Sequence, residues 1–250
     1  MIKENENAIE ILKLKAKELH DRPRILNPFS NNQEADILLN NIEDYPHFFV
    51  LGCVMNRQIK ASRAWLIPYK VSQLIGSIDF YKFLGLDQKE TTSLFVNNSL
   101  HRMPTDLSEC FFEAVQRIHQ QYSDDASNIW HRDNPSCGEV IRRFREFHGV
   151  GQKISTMAVN VLVRDFKVNL SGESEIDMSL DVHVGRVFQR LGIVEKNAGN
   201  NEILSTSRQL VPEYPGYFDS LIWEIGEAWC KPSIPLCDKC FLNKTCPKLF

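Results

Sequence analysis

Phe147-His148-Gly149-Val150-Gly151-Gln152-Lys153 joins two segments, 138–147 and 152–166, whose apolar residues recur at helical spacing. Two glycines flanking one apolar residue permit a tight turn, including positive backbone φ, and Val150 between them is suited to anchor that turn in the core. The turn leaves successive backbone N–H groups bare at the start of the next helix, where free donors and the helix dipole attract phosphate. An ordinary helix–helix connection is the plainer reading of the same glycines. Lys153 falls in the first turn of the second helix. An amine there is placed to attack a sugar C1′ or an aldehyde, or, more simply, to contact a phosphate.

Further along, Leu180-Asp181-Val182-His183-Val184-Gly185-Arg186-Val187 opens another amphipathic segment. An acid just before a periodic apolar run is first of all an N-cap. A capping carboxylate is also ionised and fixed, which suits Asp181 to stabilise positive charge on a sugar ring. His183 is either a hydrogen-bonding group near such a site or a satisfied structural histidine. The chain then ends on Cys230, Cys237, Cys240 and Cys246, spaced C-x6-C-x2-C-x5-C. Four thiolates in one short loop enclose either a zinc ion or a [4Fe–4S] cluster, and spacing alone does not choose. A disulfide framework fits poorly with a 250-residue chain lacking a secretory signal. Cys53, Cys110 and Cys137 stand singly and read as small core residues.

The remaining chain reads as helical over 5–20, 33–44, Phe48–Met55 (apolar throughout, hence buried), 61–75, 105–122 with Thr105 as N-cap, 180–192, 201–211 and 215–229. Residues 123–137 read as a loop, and 169–179 as a polar connection between two lobes. Few stretches alternate with period two, so the expected fold is all-α. With 43% apolar residues the chain can bury a real core, and no apolar run approaches the roughly 18 residues of a membrane span. The expectation is an intracellular protein. A net charge of −3 does not mark a nucleic-acid binder, but its distribution is uneven. Lys231, Lys239, Lys244 and Lys248 surround the cysteines against the single acid Asp238, and Arg142, Arg143 and Arg145 precede the glycine turn.

Together, G-V-G-x-K at 149–153, L-D-x-H-V-x-R-V at 180–187 and the terminal cysteine spacing resemble, in the same order, the endonuclease III family of helix-hairpin-helix DNA glycosylases. The resemblance covers roughly residues 140–250. A looser match, Val54-Met55-Asn56-Arg57-Gln58, resembles the family's motif carrying a glutamine that enters DNA. The resemblance implies a [4Fe–4S] cluster on the four cysteines, rather than zinc. It also implies two lobes: a six-helix barrel over 46–165 with the hairpin, and a cluster lobe from 1–45 and 166–250 with its loop at 230–246, the active cleft lying between them. Lys153 and Asp181 become the catalytic pair. Gln58, Gly149, Val150, Gly151, His183, Lys231 and Lys239 become the DNA contacts. Because the lysine marks bifunctional members, the implied activity is a base-excision glycosylase with AP lyase activity. It would act as a monomer on double-stranded DNA carrying a damaged base or an abasic site, inside the cell, and in the cytoplasm or nucleoid if the source is prokaryotic. A monofunctional glycosylase and a non-catalytic structure-specific DNA-binding protein are the alternatives. The chain departs from the family in a longer, more acidic linker at 167–180, where Asp177 is a second candidate carboxylate, and in His148 where the family often has proline. Residues 76–137 offer no match, so the damaged base is not legible.

Overall fold

A computed structural model describes residues 6–249; residues 1–5 of the expected cluster lobe and Phe250 lie outside the described residues. Among these, the regular structure is helical and no β-strand occurs. In chain order the helices are α1 (Glu6–Asp21), α2 (Gln33–Asn40), α3 (Pro46–Val54), α4 (Ala61–Ile75), α5 (Phe80–Leu84), α6 (Gln88–Asn97) and α7 (Pro104–Tyr122). They continue with α8 (Asn128–His131), α9 (Cys137–Arg145), α10 (Gln152–Arg164), α11 (Val182–Arg190), α12 (Asn200–Leu210) and α13 (Asp219–Ala228). None of the described helices is long and apolar enough to cross a membrane.

The chain divides into two compact units, residues 24–158 and residues 1–23 with 159–250. Residues 24–45, expected in the cluster lobe, include α2, which packs on α3 and α4 of the first unit. At the centre of that unit lies α3, all nine of whose residues are buried, so it has no polar face and can exist only with neighbours all round. Around it pack α2, α4 and α7. Phe49 stacks on Trp65 at 5.7 Å and meets Trp130 and Phe144 edge-on. Phe48 meets Phe83 edge-on at 5.8 Å.

Local chemistry sets most helix ends. Gly76 closes α4 with φ of 70°, and Asp87 with Glu90 forms a capping box on α6. Thr105 does not cap α7. Pro104 occupies the first turn, where its missing N–H removes no bond, and Met103 is the cap position. Three elements escaped the periodicity reading, α5, α6 and α8, each ten residues or shorter. Helix α8 falls inside the stretch expected as loop, and it seats Ile129 and Trp130 in the core.

In the second unit α11 and α13 form the main helix pair, with α1 against α13 and α12 against α11. Val184, Val187 and Phe188 of α11 and Leu221, Ile222 and Ile225 of α13 are buried in this unit. The tip of α1 is fixed by His20, whose ring stacks on Tyr217 at 4.3 Å.

Two histidines make this fold acid-sensitive. His47, on α3, is buried among Phe48, Phe80 and Phe83, with Nε2 3.1 Å from the Ile78 carbonyl. Burial lowers its pKa to about 4, and burial likewise lowers that of His20 to about 4. The unfolded imidazoles take up protons near the usual value of about 6.5, so this stability is complete above that pH and lost as pH falls toward 4. We expect His47→Gln to flatten the loss of urea-unfolding free energy across that window by up to about 3 kcal/mol. A slope identical to the parent's would remove His47 as a cause.

Candidate functional site

Helix α9 ends at Arg145, and the turn 147–151 follows. The Val150 N–H donates to the Phe147 carbonyl at 3.0 Å, and the Val150 side chain is buried as the sequence led us to expect. Gly149 has φ of 81°, and a Cβ there would stand 2.8 Å from Cys110 Sγ and 3.4 Å from an Arg57 guanidinium nitrogen. Glycine is therefore required twice, for the left-handed backbone and for the seat on α7. Gly151 differs: a Cβ there would meet nothing within 4 Å. Its carbonyl accepts the Ser155 N–H at 3.1 Å, starting α10. The opening N–H groups of α10 have no intrahelical acceptor, and a glycine before them has no side chain to cap them. Lys153 is exposed in this first turn and makes no hydrogen bond or ion pair with a described residue.

Gln58 lines one open groove in the 24–158 unit together with Gly149, Val150, Gly151 and Lys153, which lie far from it in sequence. Gln58 is exposed there with φ of 55°. Asn56, unnoticed as a separate residue in the sequence, lines the same groove with a buried Nδ2 that has no partner among the described residues. The expected basic cluster divides. Arg142 pairs with Glu139 at 2.6 Å and Glu146 at 3.3 Å. Arg143 turns inward to Glu139 and to the carbonyls of Asn128, Ile129 and Arg132. Only Arg145 of the three lines the groove.

The second unit carries Asp181, which caps α11 as its sequence position predicts. Oδ1 accepts the His183 N–H at 2.8 Å and the Val184 N–H at 2.9 Å, while Oδ2 takes no bond from a described residue. Asp177, the rival carboxylate, is engaged by Arg208 through two bonds at 2.8 and 2.7 Å. The His183 ring packs on α13, where a Cβ on Gly226 would fall 2.5 Å from its own Cβ. Arg186 Nη2 lies 3.0 Å from His183 Nδ1 and donates to the Gly226 carbonyl at 3.1 Å. His183 thus has a partner at Nδ1 within its own unit, with Trp223 tilted against it at 6.2 Å. A buried acid that sequence reading missed, Asp219, begins α13 and accepts the Ser179 N–H at 2.6 Å. An acid at a helix start reads as a surface cap unless its burial is known.

Cys230, Cys237, Cys240 and Cys246 line one pocket, walled by Val187, Ile225, Trp229 and Leu242. Arg190 donates to Cys230 Sγ at 3.4 Å and to the Lys231 and Pro232 carbonyls at 2.7 Å each. Burial raises the Cys240 and Cys246 thiol pKa values, and the neighbouring cysteines add to the shift. No three His, Cys, Asp or Glu among the described residues are grouped to hold a single metal ion. Lys231 Nζ donates to the Glu227 carbonyl, and Lys239 is exposed beside the pocket. Cys53, Cys110 and Cys137 are buried, as expected.

No family model matches the chain. It is 32% identical over 109 residues to endonuclease III of Thermotoga maritima, a match covering 43% of this chain and 46% of that protein. The chain thus spans about half the length of that relative. A trapped covalent intermediate of endonuclease III with DNA superposes with a TM-score of 0.59 at 16% identity, covering 90% of this chain and 97% of that one. A thermostable thymine-DNA glycosylase superposes with a TM-score of 0.62 at 15% identity, covering 98% and 96%. The fold is that of the helix-hairpin-helix glycosylases.

The two hairpin glycines should respond differently to alanine. Gly149→Ala is expected to cost about 1–3 kcal/mol of unfolding free energy, from positive φ and the Cys110 contact. Gly151→Ala should change it by under about 1 kcal/mol. Equal losses in chemical denaturation would contradict this assignment of the turn.

Proposed function

We propose that the protein is a bifunctional DNA glycosylase of the endonuclease III kind, acting as a monomer on duplex DNA with a damaged base or an abasic site. The observation that carries this reading is the start of α10. Uncapped backbone donors, a glycine with open space above it and an exposed lysine in the first turn face one groove. The donors suit a phosphate, and the lysine suits a sugar carbon beside that phosphate.

The chemistry follows from these groups. The damaged nucleotide leaves the stack, at a few kcal/mol or less when pairing is already weakened. As the glycosidic bond breaks, the sugar ring gains positive charge. Asp181, whose Oδ1 is committed to two N–H groups, retains Oδ2 to stabilise that charge. Lys153 Nζ attacks C1′ with its lone pair, and the base departs with the electron pair of the glycosidic bond and takes up a proton. The ring then opens to a protonated Schiff base. Loss of a C2′ proton drives β-elimination, the C3′–O bond breaks and the phosphate leaves with the electron pair. Water hydrolyses the imine and returns the lysine. Gln58, exposed at the groove, is assigned to the space left by the extruded nucleotide. Lys231, Lys239 and Arg145 are assigned to salt-dependent phosphate attraction, and His183 to supporting the N-terminus of α11.

The four cysteines fit a [4Fe–4S] cluster. In a cubane each iron takes one protein thiolate, and the four cysteines lining one pocket supply the four that are needed. Cys230, Cys237, Cys240 and Cys246 would hold it, and Arg190 would donate to the first sulfur. When bound, the cluster supplies a structural cross-link for the terminal loop, since neither glycosidic cleavage nor elimination transfers an electron.

Borohydride should trap a covalent complex between the protein and duplex DNA containing an abasic site. Lys153→Ala should reduce trapping by at least about 100-fold while leaving the fold intact. Persistence of the adduct in that variant removes the lysine from its role, and base release without strand cleavage before alkali selects a monofunctional enzyme. Gly151→Ala should weaken binding to abasic DNA by about tenfold, because a methyl group intrudes where a phosphate approaches. Anaerobically purified protein should show broad visible absorbance that Cys237→Ser removes; a colourless protein carrying zinc would refute the cluster.

A further inference from the structure

The segment from Ile176 to Asp181 has no regular secondary structure, yet it is held along its length. The Ile176 carbonyl accepts the Gly216 N–H at 2.7 Å, and Asn160 Nδ2 donates to the Asp177 carbonyl at 3.3 Å. Arg208 grips the Asp177 carboxylate, and the Ser179 N–H donates to Asp219 Oδ1 at 2.6 Å. The last anchor is unlike the others. Asp219 is 7% exposed, and it grips the backbone two residues before Asp181.

We propose that Asp219 is a positioning residue for Asp181: by fixing the backbone at Ser179 it sets how Asp181 caps α11 and leaves Oδ2 available. The catalytic consequence rests on the function proposed above; the positioning itself does not. A buried carboxylate is a costly way to hold one N–H unless its charge also matters. At the first residue of α13 that charge meets the positive end of a helix dipole. Two charged groups face it, Arg164 from α10 and Asp181 from the cap of α11. Arg164 is itself bonded to Asp165, which also takes a bond from Arg22, with His20 and Lys167 close by. Burial raises the Asp219 pKa to about 6, with the Ser179 bond and Arg164 opposing and Asp181 adding to the rise. Asp219 therefore gains its charge as pH rises through about 6, and a second negative charge behind Asp181 favours a cationic sugar.

Three measurements on the full-length protein test this, with Asp219→Asn, which keeps an acceptor, and Asp219→Ala, which does not. Hydrogen exchange at the Ser179, His183 and Val184 amides should quicken by about tenfold or more in Asp219→Ala and far less in Asp219→Asn. Single-turnover base release from a duplex carrying an oxidised pyrimidine should fall by about 100-fold in Asp219→Ala. Borohydride trapping on a preformed abasic site, which needs no base departure, should change by less than about threefold. In Asp219→Asn the rise of base release through about pH 6 should disappear. Unchanged exchange in Asp219→Ala, faster exchange with unaltered base release, or a persisting rise in Asp219→Asn would each overturn the proposal. If the parent protein releases no base and traps no abasic DNA, the proposed function falls, and the exchange result alone decides whether Asp219 holds the segment. If Asp219→Ala does not fold, Asp219→Asn and its pH profile decide.

Discussion

The starts of two helices obey the same rule and resolve it in opposite ways. Every α-helix begins with N–H groups that its own backbone cannot satisfy. At α11 Asp181 Oδ1 takes two of them. At α10 the preceding residue is Gly151, so nothing covalently attached to the cap position can do so. One start is closed with an anion the protein provides, and the other is left for an anion it lacks. The candidate chemistry depends on that difference, because it places a carboxylate at one helix and leaves room for a phosphate beside an amine at the other.

Glycines let neighbouring groups pack closely beside both starts. Gly149 rests on Cys110 of α7 without a Cβ between them, and α7 in turn packs on the fully buried α3. In the other unit Gly226 lets the His183 ring lie directly on α13. Arg186 reaches from α11 to the Gly226 and Cys230 carbonyls, and Arg190, one turn on, reaches the Cys230 sulfur and the carbonyls after it. The same helix that Asp181 caps at one end therefore holds the cysteine loop at the other. A cross-link in that loop would stiffen α11 without touching the reacting atoms.

Charge is distributed less simply than the residue counts suggest. Two of the three arginines before the hairpin are consumed by Glu139, Glu146 and backbone carbonyls, as fits a guanidinium with five donors and a planar fork. Arg145 and Lys153 are left facing the groove. In a chain of net charge −3, attraction to a polyanion rests on a few such uncommitted cations.

Helical periodicity by itself determined α4 to the residue, the buried nature of α3 and the place of the hairpin, because these depend on repeats within a few turns of chain. It also determined the Asp181 cap, which is a bond between near neighbours. Short α5, α6 and α8 escaped it, being too brief for a period to show. Only the tertiary structure decided which cations stay free, that Asp177 belongs to Arg208, that Gln58 shares a groove with Lys153, and that Asp219 is buried behind Asp181. The last three of these join residues tens of positions apart, where the energy of a polar group is set by its neighbours in space and not by its neighbours in the chain.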